Sequence, residues 1–119
     1  MDSVIRFVAN DVVPEPRAGF VGFADNKNKH YLWMQPGEMT TAKDGVWLER
    51  DDQAWGGSGG NWNVVLTRNT FTVITSELTW MACDAVEIEF VVDDSTYEGL
   101  KQLLKRVTVE CPWDLVIRE

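Results

Sequence analysis

Apolar and polar positions alternate in short runs through most of this chain and take up a helical spacing only near its C-terminus. Val4-Ile5-Arg6-Phe7-Val8-Ala9 is β-branched and aromatic, and Asn10-Asp11 stops it, which predicts a first strand. Pro14 and Pro16 make the next piece a turn or an edge. Gly19 to Ala24 and His30 to Gln35 then form a hairpin pattern around the polar Asp25 to Lys29, and Val46 to Glu49 is a further strand. Asn61 to Thr67 and Thr70 to Thr75 are separated by Arg68-Asn69 alone, the two-residue gap of a tight hairpin. In Ala85 to Val92 the residues Val86, Ile88, Phe90 and Val92 alternate with Glu87, Glu89 and Val91, which predicts one buried and one partly wet face.

The period changes at Ser95-Thr96-Tyr97-Glu98, a capping-box pattern, behind which Leu100, Leu103, Leu104 and Val107 share one helical face. Thr108 to Ile117 is β-prone again and carries Pro112, which suits an edge strand or a docked tail. Many short strands followed by one helix predict an α+β fold: a mainly antiparallel sheet of about six to eight strands, with one C-terminal amphipathic helix packed on one face. No repeat or linker divides the chain, and residues 1–119 are expected to form a single domain.

Composition narrows the class. With 45% hydrophobic and 25% charged residues the chain is in the globular range. A net charge of −8 argues against a phosphate-binding surface, so no nucleic-acid partner is expected and a basic partner is the easier one to accommodate. No apolar run approaches a membrane span, and Met1-Asp2-Ser3-Val4 does not begin a signal peptide, so the expectation is a cytoplasmic protein with no membrane partner. Cys83 and Cys111 lack CxxC spacing and are expected to be reduced and buried, without a metal.

The chemistry-bearing residues are few. His30 is the single histidine, at the start of a strand, where packing is a commoner role than that of a general base. Asp51-Asp52 and Asp93-Asp94 are the acidic pairs that hydrolytic chemistry, with or without a metal, would need. Both sit where strands end, and acids there more often accept backbone hydrogen bonds or cap a helix. The glycines 56, 57, 59 and 60 lack the Lys-Ser/Thr ending of a phosphate loop and read as a shaped loop. Of six tryptophans, Trp33 and Trp47 lie within apolar strands and are expected in the core; Trp55 and Trp80 lie in or near turns and are candidates for partner contact.

Taken in order, Gly22-Phe23-Ala24-Asp25, Tyr31-Leu32-Trp33-Met34-Gln35, Trp47-Leu48-Glu49 with Asp52-Gln53, Gly57 with Gly59-Gly60, and Val86-Glu87-Ile88-Glu89-Phe90 with the helix behind it form a pattern. From about Phe20 to Val107 that pattern resembles the bacterial immunity protein 10 family, whose members are predicted to neutralise polymorphic toxins. Ser58 stands where the family has an aromatic residue, and Pro36 follows Gln35 where a basic residue is common. The resemblance implies binding and inhibition of a cognate toxin, with no catalysis and no cofactor. Separately, Pro14, Pro16 and Pro112 are residues of the kind that block edge-to-edge strand pairing, so a monomer or weak homodimer is expected. On this reading the partner-binding candidates are Glu49, Asp51, Asp52, Gln53, Trp55 and Trp80; the structural alternative is that Glu49, Asp52 and Gln53 tie down the glycine-rich loop. Two other classes stay open: a small-molecule-binding or scaffold domain using the tryptophan-flanked loop, and a metal-dependent hydrolase using Asp51, Asp52 and Asp93.

Overall fold

Ten strands and one helix are laid out in a computed structural model that describes residues 4–15, 20–36, 46–51, 56–58, 63–74, 83–108 and 114–118. The strands are β1 (Val4–Val8), β2 (Asp11–Glu15), β3 (Phe20–Asp25), β4 (His30–Pro36), β5 (Val46–Arg50), β6 (Gly56–Ser58), β7 (Asn63–Thr67), β8 (Thr70–Ile74), β9 (Ala85–Glu89) and β10 (Asp114–Arg118). The helix, α1, runs Asp94–Thr108. The fold is α+β and mostly antiparallel, as the pattern predicts. Its strands are divided between two five-stranded sheets, ordered β1-β9-β8-β7-β10 (sheet A) and β2-β3-β4-β5-β6 (sheet B), where one sheet was expected. The pairs β1–β9 and β7–β10 are parallel.

The division begins at Ala9 and Asn10. Ala9 donates its N–H to Glu89 O in sheet A and Asn10 donates to Ala24 O in sheet B, so the chain steps between sheets within two residues. The Asn10 side chain accepts from Asn26 N–H at 3.0 Å and fixes that corner to the β3–β4 turn. The turn is closed by Asp25, whose carboxylate accepts from the backbone N–H and the side-chain amide of Asn28. Lys29 ends it with φ of 61°. Across the other sheet, Thr67 Oγ1 accepts from the N–H groups of Asn69 and Thr70 and holds the predicted Arg68-Asn69 hairpin.

Period-two alternation decides what meets inside. Val21 and Phe23 of β3, Leu32 and Met34 of β4, Val64 and Leu66 of β7, Phe71 and Val73 of β8, and Val86 and Ile88 of β9 are all buried in one cluster drawn from both sheets. Phe23 is the central contact, stacked on Phe71 at 4.7 Å and tilted against Phe90 at 5.8 Å. The helix adds Tyr97, Leu100, Leu103 and Leu104 to that cluster and packs against β2, β3 and β10. It therefore bridges an edge of each sheet, since β2 and β10 are both end strands. Pro14 stands on the edge strand β2, where a missing N–H is tolerated.

Two local expectations are corrected. The helix is capped by Asp93 and not by Ser95: Asp93 Oδ1 accepts from Thr96 N–H at 2.7 Å, and the first helical residue is Asp94. A carboxylate two positions ahead of the serine reaches the free N–H groups of the first turn before the hydroxyl can. Trp33 is half-buried and lies outside the core, because Leu32 and Met34 on either side of it take the inner face of β4. The side chain of Trp47, and Pro112, lie outside the described residues. Among the described residues no helix is long and apolar enough to cross a membrane.

Candidate functional site

Four of the six sequence-nominated contact residues, Asp52, Gln53, Trp55 and Trp80, lie outside the described residues. The other two are placed in detail. Glu49 stands opposite Trp33 in the β4–β5 register, and its Oε2 accepts from Tyr31 OH at 2.5 Å. Asp51 has φ of 61°, and its carboxylate accepts from Tyr31 N–H at 2.9 Å and from Arg50 Nη1 at 2.9 Å, with His30 Nδ1 at 3.3 Å. The Asp51 N–H in turn donates to Tyr31 O. Asp51 thus closes the end of the β4–β5 pair as a turn residue, in the left-handed conformation that Asp tolerates better than most. Arg50 is 5% exposed and is held beside that carboxylate. His30 stacks on Phe7 of the other sheet at 5.6 Å, a packing role.

The glycine-rich segment is not wholly a loop. Gly56–Ser58 forms β6 and pairs with Trp47, Leu48 and Glu49 of β5 at the edge of sheet B. Gly59 and Gly60 lie outside the described residues.

Among the described residues a groove runs along the outer face of sheet B. The outward positions of β3 are Phe20, Gly22 and Ala24, one large residue followed by two small ones. Their neighbours in register are Asp11 and Tyr31 on either side of Ala24, and Val13 and Trp33 on either side of Gly22. Small residues on a central strand between larger ones leave a channel of about 320 Å³ floored by β3, walled by β2 and β4, and closed at one end by Phe20. Trp33 stacks on Phe20 at 4.4 Å and lies over Gly22, where a Cβ would meet its Cε3 at 3.1 Å. A larger residue at position 22 would displace the indole. Asp11 is exposed on the opposite wall. The nominated Glu49 adjoins this groove through its bond to Tyr31.

Sequence reasoning missed the groove residues Asp11, Phe20, Gly22, Ala24 and Tyr31. The signal was present in Phe20-x-Gly22-x-Ala24: at period two those residues share a face, and two successive small side chains on a strand with neighbours on both sides make a trough.

Elsewhere the titratable groups serve the fold. Hydrogen bonds from the Asn28 side chain, with help from backbone N–H groups, hold the Asp25 carboxyl below its ordinary value. The Thr96 N–H does the same for Asp93. Burial pushes the Cys83 thiol up, with the Arg50 guanidinium pulling the other way. Among the described residues no group of three or more His, Cys, Asp or Glu is arranged to hold a metal ion. A second depression, of about 400 Å³, lies on the outer face of sheet A between Arg6, Val8, Thr70, Thr72, Glu87 and Glu89.

Comparison with protein-family models, with curated proteins and with solved structures gives no match.

Proposed function

We propose that this chain is an immunity protein, which binds a cognate toxin domain with a basic surface and blocks it by occupying that surface. The observation that carries the proposal is the groove-bearing outer face of sheet B, where Phe20, Tyr31 and Trp33 are gathered with the acids Asp11 and Glu49 on a chain of net charge −8. The ordered resemblance to the immunity protein 10 family supports it, since Gly22, Ala24, Tyr31, Trp33 and Glu49 are among the residues that carry that pattern.

The physical division of labour is direct. Excess negative charge speeds encounter with a basic partner, and aromatic side chains desolvated at the centre of the contact slow its release. Asp51 supports the face from behind by locking Tyr31 to the end of β5. Neutralisation takes place in the cytoplasm, without a cofactor, by a monomer or weak dimer that contacts the toxin directly. Glu49 is a contact residue on this reading, and Asp51 a positioning one.

The test is co-expression with the toxin module encoded next to this chain, scoring growth and co-elution on a sizing column. Growth rescue with a stable complex upholds the proposal. Undiminished toxicity without a complex refutes it.

A further inference from the structure

We infer that the groove along β3 is an arginine-binding site, which takes one guanidinium-bearing side chain of the protein partner with its stem along Val13 and the Trp33 indole and its planar head over Ala24, between Tyr31 and Asp11. The identity of the partner as a toxin rests on the function proposed above; the chemistry of the groove does not.

Three features select this occupant. The first is the row Asp11, Ala24, Tyr31, consecutive in register across β2, β3 and β4. It sets an acid and an aromatic ring on opposite sides of a methyl-sized floor. A cation lying over Ala24 meets a carboxylate on one side and a ring on the other. Asp11 is exposed, which puts its carboxylate at the open side of the groove.

The second is preorganisation. Tyr31 donates its hydroxyl proton to Glu49, and its backbone is tied to Asp51 from both N–H and C=O, so the ring need not be ordered when the ligand arrives. Trp33 is likewise held by its stack on Phe20.

The third is the character of the walls. Val13, Phe20, Gly22 and Ala24 present apolar surface along the channel, which suits a long aliphatic stem. A guanidinium is more weakly hydrated than an ammonium, is flat enough to stack, and can bond a carboxylate through two N–H groups, so this setting favours arginine over lysine. The volume of about 320 Å³ is large enough to admit one long side chain and is at the low end of the range for drug-sized ligands.

The experiment titrates the ¹⁵N-labelled chain with Nα-acetyl-arginine amide and, separately, with its lysine and citrulline counterparts, following the amides of Gly22 and Ala24 and the indole N–H of Trp33. Arginine amide is expected to shift these signals, lysine amide to bind roughly fivefold more weakly, and uncharged citrulline to leave them unmoved. Asp11→Asn, an exposed change that keeps the shape, should weaken the arginine response about threefold or more. Ala24→Leu, which fills the floor, should abolish it while the remaining spectrum stays dispersed. Equal binding of citrulline, a response centred away from the groove, or an unaltered response in Ala24→Leu would overturn the inference. Its failure is separable from failure of the proposed function. A toxin complex whose Kd is indifferent to Ala24→Leu removes the groove and leaves the immunity role, whereas arginine binding without any toxin complex leaves the groove and removes that role.

Discussion

The outer faces of the two sheets are built from the same period-two pattern and reach different chemistry. On sheet A the larger depression is lined by residues that answer one another: Arg6 Nε donates to Glu87 Oε2 at 2.7 Å, Arg6 and Glu87 are direct register partners, and Thr70 and Thr72 stand beside Glu89 and Glu87. On sheet B the smaller groove has two small residues on its floor, stacked aromatics at one end and an acid on its wall. The first hollow is where side chains of ordinary size diverge. The second is where the sequence has withdrawn side chains from a central strand. On the proposed function the smaller hollow is the binding one, because an ion pair matched within the sheet A face gives a partner little that it would not have to break.

Both faces are presented by one core, and the largest effect comes from breaking it. Phe23→Ala removes the ring that joins Phe71 of sheet A and lies against Phe90, and should destabilise the protein by about 3–5 kcal/mol in urea denaturation. The loss should appear in a single transition by Trp fluorescence and by far-UV circular dichroism together. Transitions that separated would mean that the sheets unfold independently and that their outer faces belong to two structural units.

The next step sets one filled hollow against the other. Ala24→Leu should weaken the complex with the cognate toxin by roughly tenfold or more, whereas Thr72→Leu on sheet A should leave the affinity within about threefold, both read by calorimetry. The reverse pattern would transfer the interface to sheet A. A finer comparison uses charge: Asp11→Asn should slow association about threefold at low salt, with the difference fading near 0.5 M salt. Glu87→Gln should have less effect on association, since that carboxylate is already matched by Arg6.

How much of this was legible in the chain follows from the range of the interactions involved. The β-strands, the Arg68-Asn69 hairpin and the face shared by Leu100, Leu103 and Leu104 are local patterns, and they could be read directly. The split into two sheets could not, because it depends on Ala9 and Asn10 choosing different partners, Glu89 and Ala24, far along the chain. Glu49 was nominated and adjoins the groove, but its bond to Tyr31 spans two strands whose register no local pattern fixes. Trp33 was assigned to the core from the apolar run around it, when strict alternation with Leu32 and Met34 already turned it outward. Asp93 as the helix cap was within reach, since an acid just ahead of a helical run is itself a start signal.

Acid and alkaline titration separate the groups that hold the fold from those that face outward. Asp25 and Asp93 have carboxyl pKa values lowered in the folded state, so the stability they contribute is present above the unfolded carboxylate pKa near 3.9 and is lost as pH falls through their folded values. Cys83 has the opposite sign: its thiol is raised on folding, so the folded state keeps a proton that the unfolded state releases, and stability declines as pH rises above about 8.5. Melting temperature against pH should therefore show a broad plateau with an acid limb below about pH 4, shallower in Asp93→Asn than in the parent at equal salt. Cys83→Ala should flatten the alkaline limb. An acid limb unchanged in Asp93→Asn would show that the bond to Thr96 is not what lowers that carboxyl.

The smallest expected change supplies the control for the whole comparison. Tyr97 projects from α1 into the core, is 5% exposed, and its hydroxyl has no hydrogen-bond partner among the described residues. Its ring is covered by Arg68 at 4.8 Å and Lys101 at 5.3 Å, so the aromatic face is used even though the oxygen is not. Tyr97→Phe keeps the ring and removes a buried polar atom whose desolvation no described residue offsets, and should leave stability unchanged or raise it by up to about 1 kcal/mol. Because Tyr97 belongs to neither outer face, toxin affinity and the arginine response of Gly22 and Ala24 should both be unchanged in this variant. A stabilised protein with a weakened groove would tie the groove's shape to the helix through β2, the wall they share, and would make the outer face of sheet B a product of helix packing as much as of the Phe20-x-Gly22-x-Ala24 strand.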